Sequence, residues 1–279
     1  MGVKLSHSIL AERFGPWHSR ITLHFFLGGR EMSKKNVVTV LFVAVILYLT
    51  SGARACLKNT VEIEHDGYGA SGMAELWGGG LNGANRHAGV YMLDKSGGAG
   101  EGDLWDDGWI GVFCIELSQS APSYPKTYDV VMPQDAQNPT TFLGEKIGSE
   151  KAEYLSELWG RFFDEAWVTS ESFTAEQNIA AEAFAVAVWE IIYEDMPESP
   201  TTWDVAVDGT AGPLGFRCDD VDISLANGML HSLDGTGPKA DLRAFTNGCS
   251  QDYIVEVPEP ATILLLGLSS LALIHRKKK

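Results

Sequence analysis

Cys114 sits in the apolar stretch 109–117 (WIGVFCIEL), and Glu116 follows two residues later, so one short segment carries both a nucleophile and a carboxylate. A cysteine can attack a carbonyl as its thiolate, or it can simply fill space as a small apolar side chain. Glu190 and Glu194 are spaced one helical turn apart and share a face. Together with Glu116 they could supply the two carboxyl groups that glycoside hydrolysis needs, although acids on a helix more often meet solvent. Asp219, Asp220 and Asp222 gather oxygen ligands of the kind Ca²⁺ takes. They lack the glycine and the closing glutamate of an EF-hand loop, so helix capping is the better reading. His87 and His231 have no partner at metal-ligand spacing. There is no Gly-x-Ser-x-Gly, P-loop or dinucleotide fingerprint. The expectation is a protein without enzymatic activity, metal or cofactor.

The chain has four cysteines, Cys56, Cys114, Cys218 and Cys249, and no Cys-x-x-Cys pair. An even count in an oxidising compartment predicts disulfides, and four cysteines allow three pairings. Cys218–Cys249 is preferred because it would tie down the last structured segment. Cys114 is then a free thiol or the partner of Cys56.

The elements that must position these groups change period along the chain. Residues 60–64 alternate apolar and polar side chains as a half-buried strand does, 89–93 and 109–117 read as strands, and so do 128–132 and 253–255. Residues 67–83 and 96–108 are rich in glycine and read as loops. A helix is predicted over 149–163, with Ser149 as its cap and Ala152, Leu155, Leu158 and Phe162 on one face. Thr174 and Gln177 form a capping box that opens a second helix running to about Tyr193, apolar on most sides and therefore the buried centre of the domain. A third, weaker helix spans 222–233. The fold class is α+β: β-sandwich or barrel-like strands with a helical insertion, in a single exported domain.

Charge and the two ends say where the protein goes. Residues 56–256 hold 34 acidic and 10 basic residues, a formal net charge of −24. Such a surface repels nucleic acid and anionic lipid. Met32, Ser33, Lys34 and Lys35 lead into an apolar run over 37–49 and then Ala53-Arg54-Ala55, the layout of a signal peptide over 32–55 cleaved after Ala55. Residues 1–31 have no role in that scheme and read as a mis-annotated upstream leader. The other end reads Pro258-Glu259-Pro260, then an apolar run over 261–274, then Arg276, Lys277, Lys278 and Lys279. Fourteen helical residues cover roughly 21 Å, short of the roughly 30 Å hydrocarbon core, so the run is a transient membrane stop with its basic end cytoplasmic.

A proline–acid box, a short apolar helix and a basic clamp, in that order over 257–279, resemble the PEP-CTERM sorting signal of exopolysaccharide-producing bacteria with a Gram-negative-type envelope. The resemblance implies processing by an exosortase near Pro258-Glu259-Pro260 and passage through the inner membrane. It also implies a place in the cell envelope, on the cell surface or in the extracellular matrix.

Two inner segments carry a second resemblance. Phe113-Cys114-Ile115-Glu116-Leu117 and, in the later helix, Phe184-Ala185-Val186-Ala187-Val188-Trp189-Glu190-Ile191 resemble the two halves of the thioester domain of bacterial surface adhesins, over about 110–194. The resemblance implies an internal Cys–Gln thioester that acylates an amine on a partner surface. Cys114 and Trp189 match the pattern, but the glutamine position on the helix is Ala185, which has no carbonyl to offer. Gln177, two turns upstream, is already occupied by the capping box. The expectation is therefore a thioester-type domain of 56–256 with its bond lost, structural or adhesive in role, with exopolysaccharide or envelope proteins as partners. A polysaccharide-acting hydrolase, with Glu116 and Glu190 across a cleft, stands as the alternative. A carbohydrate-binding module using Trp77, Trp105 and Trp109 is another.

Overall fold

The computed structural model describes residues 58–139, 145–208 and 215–258, all within one compact unit, Cys56–Lys279. The leader, Ala55, Cys56 and the sorting segment from Glu259 onward lie outside the described residues.

The domain begins with a long hairpin, β1 (Thr60–Gly78) and β2 (Leu81–Ala99), paired antiparallel along its whole length. The turn is Gly79-Gly80, with φ 56° and 86°. Two consecutive positive φ values suit the right-handed twist of a two-residue hairpin, and only glycine takes both without strain. The glycine-rich stretch 67–83, expected as a loop, is largely strand, whereas 96–108 leaves the strand after Ala99 and turns through Gly100–Leu104. Glycine in a strand marks a close approach, and here the approaching groups belong to the helices. A Cβ on Gly69 would lie 2.4 Å from the Trp167 carbonyl oxygen, and one on Gly72 would lie 2.5 Å from the Glu182 carboxylate.

The remaining strands are β3 (Gly108–Cys114), β4 (Lys126–Val131), β5 (Arg217–Asp219), β6 (Leu242–Asn247) and β7 (Ser250–Glu256). Their order is β2-β3-β7-β6-β4-β1-β5, all antiparallel, and β1 pairs with β2 as well as with β4. Six strands therefore close on themselves, with β5 attached to the far end of β1 through Leu76↔Cys218. Opposed residues share a face, and the registers Tyr91↔Val112, Cys114↔Tyr253, Phe245↔Tyr253, Val130↔Phe245 and Val61↔Tyr128 trace one face around the closed part. All of these side chains are buried.

Between β4 and β5 come α1 (Ser149–Phe162), α2 (Ala166–Thr169) and α3 (Ala175–Tyr193); α4 (Ile223–His231) follows β5. They pack on the face that carries Phe113, whose ring lies 4.6 Å from Phe184 and 5.4 Å from Trp159. Helices cannot fit within six closed strands, so this is the outer face and Cys114 points inward. The capping box of α3 forms as expected: Thr174 Oγ1 accepts from Gln177 N at 3.2 Å, and Thr174 N donates to Gln177 Oε1 at 2.9 Å. From Ala181 on, every residue of α3 is buried. Ser149 is the first residue of α1 rather than its cap; the cap position is Gly148, with φ 88°. The α+β expectation stands, and its strands form one antiparallel sheet.

The candidate site around Cys114

Cys114 ends β3, 2 % exposed, and the chain then turns across the end of β7. Ile115 N donates to Asp252 O at 2.9 Å, and Gln251 N donates to Ser120 O at 3.1 Å. These bonds bring the carbonyl of Glu116 over both side chains. Cys114 Sγ donates to that oxygen at 3.1 Å, and Gln251 Nε2 donates to it at 3.2 Å. A thiol and a primary amide thus meet at one acceptor, with Gln251 5 % exposed.

The outer side is fixed by α3. Trp189 Nε1 donates to the Cys114 carbonyl at 2.8 Å, and Leu117 N donates to the Tyr193 hydroxyl at 2.7 Å. Trp189 therefore serves the strand backbone, while Ala185 is a buried core residue one turn earlier on the same helix. Burial pushes the Cys114 thiol far above its ordinary value, so it is held protonated.

Gln251 Oε1, the hydroxyl of Tyr253, which pairs with Cys114, and His65 Nε2 on β1 are buried without a hydrogen-bond partner in the protein. Buried polar groups are nearly always satisfied, so these atoms call for bound water or a further partner. Burial raises Tyr91 and Tyr253 well above a phenol's usual value, and Gln251 is close enough to Tyr91 to oppose its shift by a hydrogen bond. Asp252 is raised to about 7, mainly by burial.

The other predicted groups fall elsewhere. Glu190 and Glu194 do share a face, but it is not solvated: they are 2 % and 3 % exposed. Glu190 Oε1 accepts from Asp204 N at 3.1 Å, and Glu194 Oε1 accepts from Phe216 N. The segment that follows α3 folds back over them, so Glu190 does not face Glu116 across an open cleft. Glu116 itself accepts from the Ser118 hydroxyl. Asp222 caps α4, accepting from Leu225 N at 2.9 Å, as expected for that cluster. Among the described residues no group of His, Cys, Asp and Glu is arranged to hold a metal ion. His231 Nε2 lies 2.7 Å from Trp203 O, and His87 stacks on Tyr68 at 3.8 Å.

The expected Cys218–Cys249 bond is not formed. Cys218 is a buried free thiol in β5, at the far end of β1, whereas Cys249 is a free thiol exposed in the turn between β6 and β7. Cys114 is likewise free, and Cys56 lies outside the described residues. The three tryptophans do not form a flat exposed row. Trp109 is 73 % exposed, Trp105 is buried, and Trp77 lies under the Arg217 guanidinium, 4.0 Å from its ring centre.

Gln251 is the residue that sequence reasoning missed. The strand 253–255 is legible in the sequence, and its pairing with the strand of Cys114 places Gln251, two residues before Tyr253, on the same face as the thiol. The signal was therefore present, but it needed the strand order.

Residues 256–279 match a family described as the PEP-CTERM protein-sorting motif. The match marks the chain as an exosortase substrate, exported to the cell envelope or surface. No curated protein and no solved structure matches the chain.

Proposed function

We propose that this exported protein is an adhesin of the cell surface in which Cys114 and Gln251 join as an internal thioester. One observation supports the reading above the rest: a buried thiol and a buried primary amide donate to the same carbonyl oxygen. The sulfur attacks Cδ of Gln251. As the tetrahedral centre collapses, the C–N bond breaks and the amide nitrogen leaves as ammonia, carrying the thiol proton. A primary amine on a partner surface later attacks the same carbon, giving an amide and returning Cys114 to its thiol. The closed strands keep bulk water from the bond, which protects it from hydrolysis. Glutamine at position 185 is not required in this arrangement, because the amide comes from β7.

Intact mass of the exported chain tests the reading. The expected result is a mass lower by one ammonia, Cys114 resistant to alkylation, and one methylamine gained on incubation. A chain with its full mass and an alkylatable Cys114 after unfolding without reductant overturns it and leaves Cys114 a packing residue.

A further inference from the structure

The inner face of the strands that carries the proposed bond also carries a base. His65 lies on β1, its backbone N donating to Pro122 O at 2.8 Å in the segment that crosses the end of the strands. Its Nε2 is buried and has no partner. The ring sits 5.5 Å from that of Tyr91 and 4.8 Å from that of Tyr68. Tyr91, in turn, lies against Gln251 and 5.8 Å from Tyr253, the residue paired with Cys114. Tyr68 is 38 % exposed and stacks on His87. A line of rings thus runs from the surface to the amide, and His65 stands beside it with an unused lone pair.

Resting on the thioester reading, we propose that His65 accepts the proton of the attacking amine, which enters past Tyr68 and His87. The nitrogen adds to Cδ of Gln251, His65 Nε2 takes its proton, the C–S bond breaks, and the proton passes to the departing Cys114 sulfur. A general base of this kind must be neutral at working pH. Burial lowers the pKa of His65, a hydrogen bond to the Gly67 backbone opposes that, His87 lowers it further and Asp66 raises it. The net direction is downward, so the ring is neutral at pH 7. The groups that face it are Asp66 and Tyr68 from β1, His87 and Tyr91 from β2, and the Pro122 backbone. Asp252 is the rival base, but its carboxylate already accepts from Asn247 N at 2.6 Å.

The experiment follows capture of methoxyamine by the exported chain between pH 5 and 8, with rates corrected for the fraction of methoxyamine protonated at the acid end. The wild type is expected to lose rate as pH falls through an inflection below 6.5. His65→Gln should keep the ammonia loss in its mass, react on the order of 100-fold more slowly and lose the inflection, while His87→Gln keeps it. A flat wild-type profile overturns the role of His65 even if His65→Gln does not fold. So does wild-type reactivity in His65→Gln, or loss of the inflection in Asp252→Asn instead. In each of those cases the ammonia loss stands and the thioester survives; a wild-type chain that retains its ammonia sinks both.

Discussion

Cys114 Sγ and Gln251 Nε2 stand 3.1 and 3.2 Å from one oxygen, the carbonyl of Glu116, though 137 positions separate them along the chain. Two local facts produce the meeting. The pairing Cys114↔Tyr253 sets the register of β3 on β7, and the period of two along a strand puts Gln251 on the face of Tyr253. One rung further Ile115 N still donates to Asp252 O, and the segment then leaves the ladder, with the Glu116 carbonyl over both side chains.

Cys114→Ala and Gln251→Glu should each abolish the ammonia loss and the methylamine adduct. The first removes the nucleophile. The second keeps shape and volume but offers a carboxylate, whose carbon a thiol does not acylate from. Cys114→Ala should remain folded, because the local backbone bonds run from Ile115 N and Gln251 N, whereas Gln251→Glu removes the donor to the Glu116 carbonyl and should melt at a lower temperature. Mass spectrometry beside a circular-dichroism melt separates chemistry from folding. An adduct persisting in Gln251→Glu would mean that another amide supplies the carbonyl.

The contrast between the two halves of the site shows what a sequence can carry. The α3 helix was legible from Thr174, Gln177 and its apolar run, because capping and helical period are local properties. The strand of Cys114 and the strand ending at Val255 were legible from alternation for the same reason. Their pairing was not, since β4, the helices, β5 and β6 all lie between β3 and β7 in the chain, and no local rule orders strands across such a span. The glycines of β1 and β2 misled for a related cause: Gly69 and Gly72 look like loop residues until Trp167 and Glu182 are packed against them. Glu190 and Glu194 likewise looked solvated because the segment that covers them lies beyond the end of α3.

Lys151 should prove more important to stability than a lysine on a helix usually is. It is 8 % exposed, and its ammonium donates to the carbonyls of Ile192 at 2.8 Å and Glu194 at 2.6 Å. These are end groups of α3, where no further turn supplies donors and where a cation also suits the helix dipole. Burial lowers its pKa, against the pull of Asp195 and Glu194. Lys151→Met retains the apolar stem and leaves both carbonyls without their donor, a loss of about 2 kcal/mol. Urea unfolding should show a lower midpoint with an unchanged slope. A midpoint equal to the wild type would mean that water replaces the ammonium at no cost.

Glu190 gives the protein a pH dependence of unusual sign. Its carboxyl is raised from 4.5 to about 9, first by burial and then by the neighbouring Glu194, while one of its oxygens has no partner. Folded chains therefore hold a proton there at neutral pH, whereas unfolded chains release it above about pH 4.5. Wherever the folded state binds the extra proton, stability falls as pH rises, by up to about 1.4 kcal/mol per unit for one group. The loss begins near pH 4.5 and continues toward pH 9. Glu182 and Asp252, each raised to about 7, add slopes of the same sign over a narrower range, so the wild-type curve alone does not isolate Glu190. Glu190→Gln does. The amide has no proton to lose, keeps an oxygen for Asp204 N and can donate toward Glu194. The variant should match the wild type near pH 4 and exceed it increasingly from pH 5 to 8. Thermal melts across that range read the difference, and parallel curves for the two proteins would show that Glu190 is ionised in the fold.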